Sequence, residues 1–206
     1  MDGKFIVFDG PDGSGTTRQC AFLVESLRKS GRNVLLTAEP TDSKIGQEVR
    51  GMLQHDTMPS PDATQLLFCA DRANHVSTVL EPALRKGQTI VCDRYSLSTI
   101  VYGAAQGIDK EWLESINAKF PKPDITFITL PPFDVCMERL QRRKTRDQFE
   151  MENFQRRVYE NYKSIEDPNV IFVDTSGSKQ MTADFVLRQY QEHFGEISEE
   201  STVKVG

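Results

Sequence analysis

The sequence KFIVFDGPDGSGTT occupies residues 4–17 and carries most of the fold prediction. Its first five residues, Lys4–Phe8, are nearly all apolar, which is typical of a strand that is buried on both faces. Three glycines follow within residues 10–17, and a helical pattern continues from Arg18. A buried strand, a glycine-rich turn and a helix in this order form the context of a phosphate-binding loop.

The loop matches the phosphate-binding template G-x-x-x-x-G-K-[ST] at all fixed positions but one. Gly10 and Gly15 are the two glycines, and Thr17 carries the hydroxyl that would bind Mg²⁺. Thr16 stands where the template has the lysine that reaches the β- and γ-phosphates. The sequence therefore predicts a phosphate site without its usual cation, for which Arg18 is a nearby substitute. The alternative is a glycine-rich turn that binds nothing.

Short apolar runs alternate with longer amphipathic stretches along the whole chain. This alternation predicts an α/β fold in which helices wrap a five-stranded parallel sheet. We expect a single domain over residues 1–195 and a frayed tail over residues 196–206. The predicted strands are residues 4–8, 33–36, 88–92, 124–129 and 170–173, and the predicted helices lie near 16–30, 43–54, 62–86, 96–118, 133–143, 151–166 and 179–194.

The composition excludes several classes of function. The net charge of -5 argues against a general nucleic-acid binder, which normally carries a basic face. No apolar stretch approaches the roughly 20 residues that span a bilayer. The four cysteines are widely spaced and predict neither a zinc site nor a disulfide framework. We expect a cytoplasmic protein with no nucleic-acid or membrane partner.

Two further candidate sites come from the middle of the chain. Asp93 follows the third predicted strand, where an acid would face a Mg²⁺–phosphate site; the alternative is that it caps the helix predicted from Ser96. Phe68 and Arg72 are four residues apart in a predicted helix and share one face. A ring that stacks and a planar donor beside it suit a nucleobase, although a helical Phe is more often a core residue.

Six short segments form a set that is more specific than any one of them: Phe8–Gly15, Glu39–Thr41, Leu67–Arg72, Asp93–Tyr95, Tyr102–Gly107 and Pro121–Asp124. In order and spacing, from about residue 4 to about residue 190, the set resembles the thymidylate kinase family. The resemblance implies a P-loop enzyme that uses ATP and Mg²⁺ to phosphorylate dTMP and works as a homodimer.

The resemblance also implies roles for individual residues. The catalytic group would be Asp12, Asp93, Arg94, Arg142, Arg143 and Arg146, with Thr17 and Asp93 on the metal. ATP would contact Gly10, Pro11, Asp12, Gly13, Ser14, Gly15, Thr16, Thr17 and Arg18. The acceptor dTMP would contact Glu39, Arg50, Phe68, Arg72, Arg94, Thr99 and Tyr102.

A basic run follows the fourth predicted strand, with five Lys or Arg residues in the eight positions 139–146. It resembles the mobile lid of such kinases, here about residues 139–152, whose guanidinium groups would stabilise the charge of the transferring phosphoryl group. The alternative is a solvated charge run on a helix.

Several positions depart from the family pattern: Thr16, Ala38, Gly103 and Pro131–Pro132. Two other functions stay open, the first because the size of the acceptor pocket cannot be read from sequence and the second because of Thr16. One is a kinase for another nucleoside or deoxynucleoside monophosphate, and the other is a catalytically degenerate subunit that binds nucleotide and regulates.

Overall fold

The computed structural model describes residues 3–55, 57–142 and 148–195. Its single sheet has five parallel strands in the order β2-β3-β1-β4-β5, which confirms the predicted fold class. Every predicted strand is present, and its ends differ from the prediction by at most two residues. The strands are β1 (Phe5–Asp9), β2 (Val34–Ala38), β3 (Thr89–Asp93), β4 (Ile125–Thr129) and β5 (Val170–Val173).

Helices cover both faces of this sheet. No helix among the described residues is long and apolar enough to cross a membrane. A π-helical turn, Val76–Leu80, joins the third and fourth helices. The helices are α1 (Thr16–Lys29), α2 (Lys44–His55), α3 (Pro61–His75), α4 (Glu81–Arg85), α5 (Ser96–Ala105), α6 (Lys110–Asn117), α7 (Phe133–Gln141), α8 (Gln148–Lys163) and α9 (Lys179–Phe194).

The prediction of one helix over residues 96–118 is wrong, because the chain breaks between α5 and α6. Gly107 adopts a left-handed conformation with φ of 90°, which ends α5. Asp109 then starts α6 by accepting the backbone N–H of Trp112 at 2.8 Å. Gly103 lets the two helices approach closely, since a Cβ there would lie 2.7 Å from the Leu113 side chain.

Strand β1 is buried on both faces, as its apolar sequence predicts. Ile6 and Phe8 pack into the core that includes side chains of α1 and α9. Phe5 and Val7 point the other way and pack with Leu80 of the π-helical turn and its neighbours. Each such side chain contributes about 1.5–3 kcal/mol when it is fully buried, so the centre of the sheet is a rigid base for the loops at its ends.

The register of the sheet brings two predicted site segments together. Phe8 of β1 lies opposite Asp93 of β3, so the glycine-rich loop after β1 adjoins the turn after β3. Parallel strands place their carboxyl ends at one edge of the sheet, where ligands bind in open α/β folds. The candidate site lies at this edge.

Candidate active site

The glycine-rich loop between β1 and α1 has a shape that only glycine allows at key points. Gly13 has a φ of 81°, and a Cβ there would lie 2.6 Å from the backbone oxygen of Cys136. A Cβ on Gly10 would lie 2.5 Å from the backbone oxygen of Thr129. The loop therefore packs tightly against β4 and α7.

Several backbone N–H groups of the loop are available to an anion. Those of Gly13, Gly15, Thr16 and Thr17 make no hydrogen bond within the described residues, whereas that of Ser14 donates to the oxygen of Pro11 at 3.1 Å. No side chain caps the N-terminus of α1. Free N–H groups at the positive end of a helix dipole are what a phosphate requires.

Cations around the loop are arranged differently from the expectation. Thr16 is 7% exposed, and the exposed side chain of Arg18 makes no hydrogen bond or ion pair with another described residue. The guanidinium of Arg139 instead lies against the loop, its Nη1 donating to the oxygens of Gly13 at 3.2 Å and Ser14 at 3.4 Å. In sequence, Arg139 was only the first member of the basic run.

The other basic residues of the predicted lid do not reach the loop where the structure describes them. Arg142 is largely exposed and forms an ion pair of 2.5 Å with Glu138 one turn before it on α7. The predicted catalytic residues Arg143 and Arg146 lie outside the described residues.

A contact between two oxygen-bearing side chains joins the start of α1 to the end of β3. The hydroxyl of Thr17 donates to Oδ2 of Asp93 at 2.5 Å. Oδ1 of Asp93 is buried and has no hydrogen-bond partner among the described residues. Tyr95 is at the N-cap position of α5, and the N–H of Ser98 in its first turn donates to Asp9 at 3.2 Å, so the alternative reading of Asp93 as the N-cap is wrong.

These two residues fit Mg²⁺, which prefers hard oxygen ligands and keeps most of its coordination sphere for phosphate oxygens and water. Within the described ranges, no cluster of three or more His, Cys, Asp or Glu residues could hold a metal by itself. A metal at Thr17 and Asp93 would therefore arrive together with a phosphate ligand.

Arg94 connects the loop to the turn after β3. Its Nη2 donates to Oδ1 of Asp12 at 2.7 Å, and its Nη1 donates to the oxygen of Gly10 at 3.1 Å. Arg94 is also the one non-glycine residue with a positive φ, 69°, in the described part of the chain. Backbone strain of this kind concentrates at functional sites, because the surrounding structure must hold it in place.

The sequence reasoning missed Asp9 as a site residue, although an acid at the end of an apolar strand was visible. Its fully buried carboxylate accepts hydrogen bonds from the N–H of Gly10 at 3.0 Å, from the hydroxyl of Ser98 at 2.5 Å and from that of Tyr162 at 2.5 Å. Burial raises the pKa of Asp9, although Arg94 and these hydrogen bonds oppose the rise. Asp9 thereby ties the loop to α5 and α8.

Arg72 is the centre of the candidate acceptor side. It is 1% exposed and donates from Nε to Glu39 at 2.9 Å, from Nη1 to Asn117 at 2.5 Å and from Nη2 to Thr99 at 3.0 Å. Nη2 also lies 2.8 Å from the same oxygen of Glu39, so four of the five N–H donors of this guanidinium face these partners. The sequence reasoning missed Asn117, which lies at the end of α6.

Glu39 is held from a second side by a residue that the sequence reasoning also missed. Its other carboxylate oxygen lies 2.9 Å from Nδ1 of His75, whose Nε2 lies 2.8 Å from the hydroxyl of Thr37. A polar chain thus runs from β2 to α5 and is buried except at its half-buried first member, Thr37; its other members are His75, Glu39, Arg72 and Thr99. A carboxylate and a guanidinium that are both buried require such hydrogen bonds to offset their lost hydration.

The remaining predicted acceptor residues lie around this chain. Phe68 is half-buried one turn before Arg72 on α3. The ring of Tyr102 lies 5.3 Å from the guanidinium carbon of Arg94. Arg50 donates to the oxygen of Pro40 at 3.1 Å and forms a 2.7 Å ion pair with Asp42, so in this structure it supports the connection between β2 and α2.

Comparison with known proteins gives one consistent family. The family model for thymidylate kinase matches residues 8–186. A probable thymidylate kinase of Pyrococcus horikoshii is 39% identical over 168 residues, which is 79% of this chain and 82% of the relative. A thymidylate kinase of a Synechococcus species is 40% identical over 184 residues, covering 84% of this chain and 87% of the relative. A probable thymidylate kinase of Methanocaldococcus jannaschii is 35% identical, covering 85% and 89%.

Proposed function

The chain belongs to the thymidylate kinase family, and on that premise we propose that it transfers the γ-phosphate of ATP to dTMP, giving ADP and dTDP. One structural observation supports this function independently of the family match. The consecutive residues Asp93 and Arg94 contact Thr17 and Asp12 of the loop at 2.5 and 2.7 Å. This short segment contacts the loop at two points, which supports a role for Asp93 at the metal and for Arg94 at the acceptor phosphate.

The donor half of the site would be the glycine-rich loop. Its unpaired N–H groups would hold the ATP phosphates, and Thr17 and Asp93 would hold Mg²⁺. When bound, Mg²⁺ neutralises charge on the β- and γ-phosphate oxygens. These residues orient the nucleotide with its γ-phosphate toward Asp12 and Arg94.

In the transfer itself, an oxygen of the dTMP phosphate bonds to the γ-phosphorus. The bond from that phosphorus to the oxygen bridging to the β-phosphate breaks, and ADP leaves with the electron pair. Arg94 is the residue we assign to the acceptor phosphate, because its guanidinium already contacts the loop at Gly10. Positioning the two anions against each other is the main task of the protein in this reaction.

Recognition of thymine would use the buried polar chain. Arg72 has one N–H donor, on Nη1, beyond those directed at Glu39, Asn117 and Thr99, and thymine offers an exocyclic oxygen as acceptor. Cytosine carries an amino group there, which is a donor. A donor facing the guanidinium leaves both groups unpaired, so dCMP should be a poor acceptor.

We also propose a homodimer and a cytoplasmic location. Leu53 of α2 and Leu66 of α3 are 47% and 50% exposed, and these two helices pack side by side. A second copy that covers this surface would remove the exposed leucines from water. The change Leu66→Glu should then shift sedimentation velocity toward the monomer. All four cysteines are free and buried, as suits a reducing compartment.

The test is phosphoryl transfer from ATP to each deoxynucleoside monophosphate in turn, followed by chromatographic separation of the products. We expect dTMP to be the best acceptor, with kcat/KM for dCMP lower by about 10²-fold or more. Equal values for dCMP and dTMP would contradict the assigned acceptor side. ATP binding without transfer to any acceptor would favour the degenerate regulatory subunit.

A further inference from the structure

The phosphate loop lacks a cation at position 16, yet one guanidinium is fixed against its outer side. Arg139 of α7 donates a hydrogen bond to the oxygen of Gly13, from which it is separated by 126 positions in the sequence. Its Nη1 also lies 3.9 Å from the point that a Cβ of Gly15 would occupy. No carboxylate among the described residues lies within ion-pairing distance of Arg139, whereas Arg94 is paired with Asp12.

The contacts of Arg139 act on a peptide group that faces the phosphate site. The oxygen of Ser14 accepts hydrogen bonds from Arg139 at 3.4 Å and from the hydroxyl of Thr175 at 2.5 Å. The other end of this peptide group is the N–H of Gly15, which makes no hydrogen bond within the described chain. Donors on the oxygen polarise the peptide and strengthen its N–H as a donor to an anion.

Arg139 is itself held in place by the loop after β5. Its Nη2 donates to the backbone oxygen of Thr175 at 2.8 Å, and its Nη1 lies 3.1 Å from the hydroxyl of the same residue. The charge is therefore fixed before any ligand arrives, unlike that of Arg142, which is largely exposed. A preorganised charge stabilises a developing anion without the cost of reorienting at the moment of reaction.

We propose that Arg139 is a positioning residue that supplies the fixed positive charge of the phosphate loop, in place of the lysine that Thr16 replaces. It acts through the backbone of Ser14 and Gly15 and through the field of its guanidinium. The proposal rests on the proposed function for its kinetic test, but its binding test needs only ATP.

A double-mutant cycle tests this idea with Arg139→Gln, Thr16→Lys and the combination of both. We expect Arg139→Gln to lower kcat by about 10²-fold and to raise KM for ATP, with KM for dTMP unchanged. Thr16→Lys should restore at least about tenfold in kcat in the Arg139→Gln background and gain less in wild type, since one cation then substitutes for the other. Arg139→Lys should lie between wild type and Arg139→Gln.

The matched control is Arg85→Gln, which removes an exposed arginine that pairs with Glu81 on α4. It should leave kcat and KM unchanged. An unaltered kcat in Arg139→Gln would overturn the proposal, and so would an equal gain from Thr16→Lys in both backgrounds. If circular dichroism shows that Arg139→Gln does not fold, the cycle is measured with Arg139→Lys instead. An unaltered kcat in that variant, or an equal gain from Thr16→Lys in both backgrounds, would then overturn the proposal.

Failure of the proposed function is recognised separately. If wild type transfers phosphate to no deoxynucleoside monophosphate, that function is wrong, and the cycle is then measured as ATP affinity by titration calorimetry. Arg139→Gln should weaken ATP binding by about tenfold, and Thr16→Lys should restore it. ATP affinity that does not change in Arg139→Gln would overturn the role of Arg139 whatever the acceptor is.

Discussion

The change Asp93→Asn separates a catalytic role of this residue from a structural one. Asparagine keeps the shape of the side chain, and its oxygen can still accept the hydroxyl of Thr17, which lies 2.5 Å away in the native protein. It replaces the buried Oδ1, which has no partner within the described residues, and removes the negative charge. The substitution therefore takes away what a metal would use and little that the fold uses.

We expect Asp93→Asn to lower kcat without lowering the free energy of unfolding. Loss of the charged metal ligand should lower kcat by about 10²-fold, equivalent to roughly 2.7 kcal/mol in the activation free energy. The free energy of unfolding should stay constant or rise, because an unpaired buried polar group costs about 1–3 kcal/mol and the neutral amide is less costly to bury. A residue that served only as a helix cap would show the reverse pattern.

The assay measures dTDP by chromatography over a Mg²⁺ titration, and unfolding by urea on the same samples. The concentration of Mg²⁺ at half-maximal rate should rise in Asp93→Asn. Asp167→Asn is the control, since the Asp167 side chain accepts the backbone N–H of Asn169 in an exposed turn and asparagine can do the same. An unchanged kcat and an unchanged Mg²⁺ requirement would refute the reasoning, whatever the stability.

Three further predictions concern other parts of the site. Arg142→Ala should lower kcat by about tenfold or more with little change in ATP affinity, as measured by steady-state kinetics and titration; equal loss in both would contradict a lid role. Burial raises the pKa of the Asp9 carboxyl above its ordinary value of 3.8, so the folded protein binds this proton more tightly than the unfolded chain does. In urea unfolding, the free energy of unfolding of wild type relative to Asp9→Asn should therefore be larger at pH 5 than at pH 8. A larger value at pH 8 would contradict this prediction. Gly13→Ala should lower the free energy of unfolding by roughly 1–3 kcal/mol more than Gly31→Ala does. Both glycines have a positive φ, but only a Cβ at position 13 would meet the backbone of Cys136. Equal losses of stability in the two variants would exclude this contact as the cause.

The sequence by itself determined the features that depend on neighbouring residues. Apolar runs between turn signals gave all five strands, and their alternation with helices gave the parallel sheet. The glycine spacing after β1 predicted the tight turn between β1 and α1, and a strand-end acid predicted the position of Asp93 beside Thr17, while phosphate binding by that turn stays a prediction. The strands, the sheet and the contact of Asp93 with Thr17 were predictable because periodicity and strand ends are local properties of the sequence, and a parallel sheet places the ends of its strands side by side.

Only the tertiary structure decided which side chains complete the site. Asn117 reaches Arg72 because α6 starts anew at Asp109 and packs against α3, and the continuous helical pattern concealed that break. Arg139 stood in a basic run like its neighbours, but the packing of α7 under the glycine loop places this one guanidinium on the loop oxygens. The spacing of residues in the sequence determines on which face of its own helix a residue lies. Its contacts with other elements depend on how those elements pack together, which no local sequence pattern encodes.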